Sequence, residues 1–117
     1  MTDKPVSNRP LTTYRDFWPH YLQEHAQPRT RMFHFVGTSL ATLFAAAAIV
    51  TADAWFVPLA LVFGYGPAWA AHFFIEHNLP ATFTHPLWSL ISDYRMRWAW
   101  MSGRLDEELA KAGVNQR

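Results

Sequence analysis

The chain carries six histidines and no cysteine, so any metal ion it holds must be bound through imidazole, carboxylate or backbone oxygen. His34 and His72 are the pair whose positions most suggest joint work. Each lies 19 residues from Asp53, one before it and one after. Two helices joined by a turn at Asp53 carry both imidazoles roughly 28 Å from that turn, at about 1.5 Å per residue, and therefore to the same depth. Glu76 follows His72 by four residues, one helical turn on. His25 lies three residues before Pro28, close enough to reach the same corner as His34. Neutral imidazoles with one carboxylate and no thiolate suit Fe(II) or Zn(II), and two histidines plus a carboxylate with open positions is the arrangement of oxygen-activating non-haem iron. The same residues admit two other readings: a polar cluster that only joins helices, and haem ligation by His34 and His72. His20, His77 and His85 stand apart. His20 follows Pro19 on the less apolar face, His77 points away from His72 along a helix, and His85 precedes Pro86, where a loop or capping role suffices.

The elements that position these residues are marked by where charge is missing. No Lys or Arg occurs between Met32 and Tyr94, and the acids in that interval are Asp53, Glu76 and Asp93. Two apolar stretches, residues 32–50 and 55–75, flank the polar break at Asp53, each near the roughly 20 residues that a membrane span requires. Spans are expected at 28–52, with Pro28 suited to a first helical position, and at 55–77. Gly37, Ala41, Ala45 and Ala48 put a small-residue stripe on the face of the first span that carries His34, which lets two backbones approach closely in lipid. Pro67, after Gly64-Tyr65-Gly66, predicts a kink or local unwinding in the second. Basic residues outside both spans place both termini on the cytoplasmic side of a bacterial inner membrane or the endoplasmic reticulum. The competing architecture is a soluble helical bundle with a very apolar central pair.

Amphipathic segments flank the hairpin. Tyr14, Phe17, Trp18, Tyr21, Leu22 and His25 make an aromatic stripe over residues 12–26, with Thr13 and Asp16 as an N-cap pair and Pro19 as an interruption. Over 86–102, Leu87, Leu90, Ile91, Tyr94, Trp98 and Met101 form another stripe, and its Trp and Arg content suits a helix lying in the membrane interface. Asp93 and Arg97 are spaced for an ion pair; Asp93 is also a candidate ligand or an acceptor for a ligating histidine. Gly103 ends that helix, and 104–117 is a short solvated tail with Glu107 and Lys111 spaced for pairing. Residues 1–10 are polar and lack a signal peptide's apolar stretch. The predicted fold is thus all-α: one membrane domain over 1–117, a two-span helical hairpin flanked by interfacial helices. With a net charge of +1, 50% hydrophobic residues and only 16% charged residues, against roughly 25% charged in soluble domains, the composition points to lipid and away from nucleic acid. A lone hairpin buries little, so a homodimer is a plausible assembly.

Two blocks of residues resemble a known family. Phe17-Trp18-Pro19-His20-Tyr21-Leu22-Gln23-Glu24-His25, continuing through Pro28 to His34-Phe35-Val36-Gly37-Thr38, is followed in order by Gly64-Tyr65, Ala68-Trp69, His72-Phe73-Phe74-Ile75-Glu76, Pro80-Ala81-Thr82-Phe83, Pro86-Leu87, Ser89-Leu90 and Asp93. Together, from about Tyr14 to Gly103, they resemble the 2-hydroxy fatty acid dioxygenases, a membrane-bound family. The resemblance implies Fe2+ as cofactor, held at His25, His34 and His72 with Glu76 at the family's acidic position. It further implies a lipid or fatty-acid substrate and O2, and shortening of a 2-hydroxy acid by one carbon, the alpha-oxidation that shortens the phytosphingosine chain. Arg29, Arg31, Arg95 or Arg97 would then hold the substrate carboxylate, with the acyl tail beside Phe35, Phe73 and Phe74. The chain departs from the family in being shorter than its characterised eukaryotic member and in carrying His77 where many relatives have Lys. A different class of function for the same pattern is a non-enzymatic membrane assembly or lipid-binding protein with a structural histidine cluster.

Overall fold

The structure, a computed structural model, describes residues 11–114; the polar segment at 1–10 and the end of the tail at 115–117 lie outside the described residues. The fold is all-helical. In chain order it has α1 (Tyr14–Gln23), α2 (Pro28–Thr51), α3 (Phe56–Ala71), a π-helical turn (His72–Glu76), a short 3-10 turn (Ala81–Phe83), α4 (Pro86–Met101) and α5 (Leu105–Lys111). These divide into two compact units, Pro28–Pro80 and the segments on either side of it.

The unit Pro28–Pro80 is the expected hairpin. Both of its helices are long and apolar enough to cross a membrane, yet only 17% of each one's most apolar window is buried. The core helices of a soluble bundle would be covered instead. Ile49 and Val50, for example, are 82% and 84% exposed. Hydroxyls within α2 are returned to the helix: Thr38 and Ser39 both donate to the Phe35 carbonyl, and Thr51 donates to that of Ala47. The reversal is made where the sequence breaks. Ala52 takes a left-handed conformation, and the Asp53 carboxylate accepts from the Trp55 N–H at 3.0 Å.

What holds α2 against α3 is the absence of side chains at one crossing. A Cβ placed on Gly37 would stand 2.6 Å from the Gly64 carbonyl oxygen, and one on Gly64 would stand 2.9 Å from the Ala41 Cβ. The first two members of the small-residue stripe, Gly37 and Ala41, therefore lie at the seam.

The second helix departs from expectation at Pro67. α3 runs through this residue as an α-helix, and the widening comes one turn later, at His72–Glu76. There the chain closes with His77 in the left-handed region (φ 60°) and the Asn78 N–H donating to the His72 carbonyl at 2.9 Å. A proline removes only its own N–H, which a helix sheltered by a neighbour tolerates. The wider turn also carries Glu76 off the i+4 register with His72 that a regular helix would give it.

In the other unit α1 packs on α4 and α5 through Phe17, Trp18, Tyr21 and Leu22, all buried. Thr13 caps α1 through the Asp16 N–H as the sequence suggests, and the helix continues across Pro19. On α4 the apolar stripe Leu87, Leu90, Ile91, Tyr94, Trp98 and Met101 faces outward, while Ser89, Ser92, Asp93, Met96 and Ala99 are the buried residues. Gly103, at φ 78°, ends the helix, with the Arg104 N–H returning to the Ala99 carbonyl. In the tail, Lys111 pairs with Glu108 at 3.7 Å and not with Glu107.

The seam predicts unequal effects at two glycines of the hairpin. Gly37→Ala should lower the thermal stability of the detergent-purified protein by about 1–3 kcal/mol, because a backbone must move. Gly66→Ala, whose Cβ meets nothing within 4 Å, should be neutral or raise stability by up to about 1 kcal/mol. Circular-dichroism melts of the two variants make the comparison.

Candidate metal centre

Within the hairpin unit His34 and His72 meet. Their Nε2 atoms are 3.2 Å apart, their rings are nearly perpendicular at 89°, and both side chains are buried. The equal count from Asp53 thus corresponds to equal depth. His72 is further fixed from behind: its Nδ1 lies 2.6 Å from the side-chain oxygen of Asn78. An amide oxygen only accepts, so His72 carries its proton on Nδ1 and turns the Nε2 lone pair toward His34. The helix geometry makes this possible, since the π-helical turn and the left-handed His77 bring Asn78 back under the ring of His72.

Two outcomes are open to such a pair. With a proton on His34 Nε2 the two rings share a hydrogen bond. With both lone pairs presented, they hold one cation. Two imidazole nitrogens at about 2.0–2.1 Å from one ion and roughly a right angle apart are separated by about 3 Å, so the spacing fits adjacent positions on a single metal. Opposite axial positions on a haem iron would need a separation of about 4 Å at the same bond lengths. The pair is too close for that arrangement.

Glu76 is half-buried and accepts from Thr30 Oγ1 at 2.7 Å. Thr30 itself is fully buried on the first turn of α2. A carboxylate has two oxygens and about four lone pairs, so this bond does not exhaust its capacity. His77 is exposed, and its backbone rather than its ring is what the turn uses. Among the α2 arginines, Arg29 is exposed and Arg31 is buried.

The flanking unit holds His25, buried to 1% exposure at the end of α1. Its Nδ1 lies 2.6 Å from the Tyr21 carbonyl, and its ring stacks on the Tyr21 ring with centroids 4.1 Å apart. A carbonyl only accepts, so His25 too carries a proton on Nδ1. The Tyr21 hydroxyl donates to Asp93 of α4 in a buried hydrogen bond. Burial, and then the Asp93 charge and this bond, push the Tyr21 phenol well above its ordinary pKa, so it stays neutral and remains a donor. Asp93 is therefore engaged with Tyr21, an interaction that its spacing from Arg97 did not reveal. Arg95 is exposed beside Glu108, and Arg97 is half-buried.

His34 and His72, buried imidazoles in a chain without any cysteine, suit a borderline divalent ion such as Fe(II) or Zn(II); the flanking unit carries a third buried imidazole of the same chemistry in His25. Sequence reasoning passed over three supporting residues. Asn78 reads as the start of a loop, Thr30 as one polar residue in a first turn, and Tyr21 as part of an aromatic stripe; none of these local signals announces its partner.

Neither a curated protein nor a solved structure matches the chain. A family model described as 2-hydroxy-palmitic acid dioxygenase Mpo1-like matches residues 11–105. That span includes all of the elements described above except the greater part of α5, and on this ground the chain belongs to the Mpo1-like family.

Proposed function

We propose that the chain is a membrane-embedded, Fe(II)-dependent dioxygenase that shortens 2-hydroxy fatty acids by one carbon. The observation that carries the proposal is the His34–His72 pair, two buried imidazoles with facing Nε2 atoms, in a chain whose family is described by a dioxygenase activity on a 2-hydroxy acid. We assign His25 to the same ligand set, since it is buried with its Nδ1 proton held by the Tyr21 carbonyl and stands only nine positions before His34. Glu76 is the assigned carboxylate, oriented by Thr30. The apolar, outward-facing α2 and α3 support insertion in a bilayer, and the basic residues beyond both spans support cytoplasmic termini.

Bound iron would supply the activation of O2. The chain's own residues do the rest. Asn78 and the Tyr21 carbonyl hold the protons of His72 and His25 on Nδ1, so that both rings present the correct nitrogen without having to lose a proton first. Arg31 shares a helical face with His34, three residues on, and is the first choice to hold the substrate carboxylate by charge-assisted hydrogen bonds. Phe73 and Phe74 are exposed and offer apolar surface for the chain of the acid, whereas Phe35 is buried. Overall the bond between C1 and C2 of the hydroxy acid breaks. One O2 accepts four electrons, and the products are the acid one carbon shorter, CO2 and water. Atoms and electrons then balance with O2 as the sole oxidant.

Two outcomes test the assignment. Detergent-purified protein should hold near-stoichiometric iron and convert 2-hydroxypalmitate aerobically to the 15-carbon acid; His72→Ala should lose both properties, while His77→Asn, which tolerates the left-handed backbone, should keep both. Absence of affinity for any divalent metal, or equal loss in the two variants, would sink the proposal and leave the histidines as helix-joining groups. Asn78→Ala should weaken metal binding by about 10–100-fold, the usual cost of removing the partner that orients a ligating histidine, as read by competition with a chelator.

A further inference from the structure

A second site lies in the flanking unit, where α1, α4 and α5 come together. A cavity of about 130 Å³ is lined there by Trp18, Arg95, Trp98, Arg104 and Glu108 among others. It is far below the volume of a pocket for a drug-sized ligand and is of the scale of one small charged group.

Its charges are arranged for an anion. Two guanidinium groups line it against one carboxylate, and that carboxylate is already committed: Glu108 accepts from the Trp18 indole N–H at 2.9 Å and pairs with Lys111. Arg95 is held in place by its guanidinium lying 4.1 Å from the Trp18 ring centroid. It also pairs with Glu108, but at 3.8 Å, longer than a hydrogen bond, so the planar fork keeps donors for a further acceptor. The Arg104 backbone is bonded to Ala99 and Glu108, but its guanidinium has no hydrogen-bond or ion-pair partner among the described residues. Rigid guanidinium forks with uncommitted donors are the usual means of gripping a phosphate.

The cavity's position selects the kind of anion. Trp98 lines it and is also 67% exposed on the outward apolar stripe of α4. A ligand with its charged head at Arg95 and Arg104 therefore has an apolar track, through Trp98 to Tyr94 and Ile91, leading directly away from it. Indole and phenol rings beside basic residues are characteristic of the headgroup level of a bilayer, where basic pockets bind anionic lipids. A soluble phosphate would use the guanidinium groups alone and leave the track unexplained.

We propose that this cavity is a headgroup site for an anionic phospholipid, with the acyl chains running along the outward face of α4. The site is separate from the histidines and does not depend on metal.

Native mass spectrometry of the full chain in detergent tests it, with dilauroyl phosphatidylglycerol, dilauroyl phosphatidylcholine and inorganic phosphate as the three probes. The phosphatidylglycerol adduct should be retained at about tenfold lower lipid concentration than the phosphatidylcholine adduct, the scale expected of charge-assisted hydrogen bonds. Arg104→Gln should abolish that preference, while Arg15→Gln, an equal loss of charge at an exposed position on α1, should keep it. Arg95→Gln should act like Arg104→Gln, but the latter is decisive because the Arg104 guanidinium makes no other hydrogen bond or ion pair among the described residues, whereas Arg95 also lies on the Trp18 ring. Equal retention of the two lipids, equal effects of Arg104→Gln and Arg15→Gln, or binding of inorganic phosphate without a preference for phosphatidylglycerol would overturn the proposal. Run on the His72→Ala chain as well, the measurement reads this site whether or not iron binds.

Discussion

Two helices can bring a pair of imidazoles to 3.2 Å only where their backbones approach closely, and here that approach rests on Gly37 and Gly64. The Gly64 carbonyl occupies the place a Cβ at position 37 would need. In lipid this is the form that helix association must take, because apolar side chains gain little from leaving one apolar medium for another; close van der Waals contact between backbones remains as the attraction. His34 stands one turn from Gly37 and His72 about two turns from Gly64, both near the end of the same seam. A change of about an ångström in the crossing is comparable to the tolerance of a metal site. The glycines thus set the geometry of the candidate centre without contributing an atom to it.

A close pair is not yet a ligand pair, because each imidazole must also present the correct nitrogen. The two units solve this in the same way. His72 gives its Nδ1 proton to Asn78, and His25 gives its own to the Tyr21 carbonyl. Tyr21 in turn stacks on His25 and is anchored through its hydroxyl to Asp93. Each ring is buried, so a misplaced proton could not be corrected cheaply by water. The acceptors are a side-chain amide and a backbone carbonyl, neither of which titrates near neutrality.

How much of this was legible in the sequence follows from the range of each interaction. The hairpin was visible because charge is absent over long stretches, and the common depth of His34 and His72 because counting along a helix is a linear operation. The Thr13 cap and the stop at Gly103 are also local and were legible. The π-helical turn was not: it is a change in backbone hydrogen-bond register at His72–Glu76, and no side chain marks it in the way a proline marks a break. Asn78 was hidden by its composition, since Asn before Leu-Pro reads as a loop whether or not a histidine lies above it. The Tyr21–Asp93 bond spans 72 positions, and nothing near Asp93 distinguishes it from a partner for Arg97 four residues away. In the candidate site, the residues with ligand chemistry could be read off; the residues that orient them could not, because orientation is a tertiary property.

The burial pattern of α4 bears on the solvent for which the chain is built. In a domain surrounded by water a helix buries its leucines and exposes its serines and aspartates. α4 does the reverse, covering Ser89, Ser92 and Asp93 and exposing Leu87, Leu90, Ile91 and Trp98. The inversion is stable only if the covered polar groups find partners and the exposed apolar groups find an apolar neighbour. The first condition is met, since Ser92 bonds the Tyr14 hydroxyl and Asp93 bonds that of Tyr21. The second calls for an apolar neighbour, as do the outward faces of α2 and α3, and lipid meets it for two helices long and apolar enough to cross a membrane. The same polar face that makes α4 unsuited to span a bilayer supplies, through Asp93, the anchor for Tyr21 and hence for His25. A helix lying at a lipid surface can turn its polar residues inward to anchor Tyr21 and its apolar residues outward to meet an apolar medium. One choice of solvent thereby accounts for both faces.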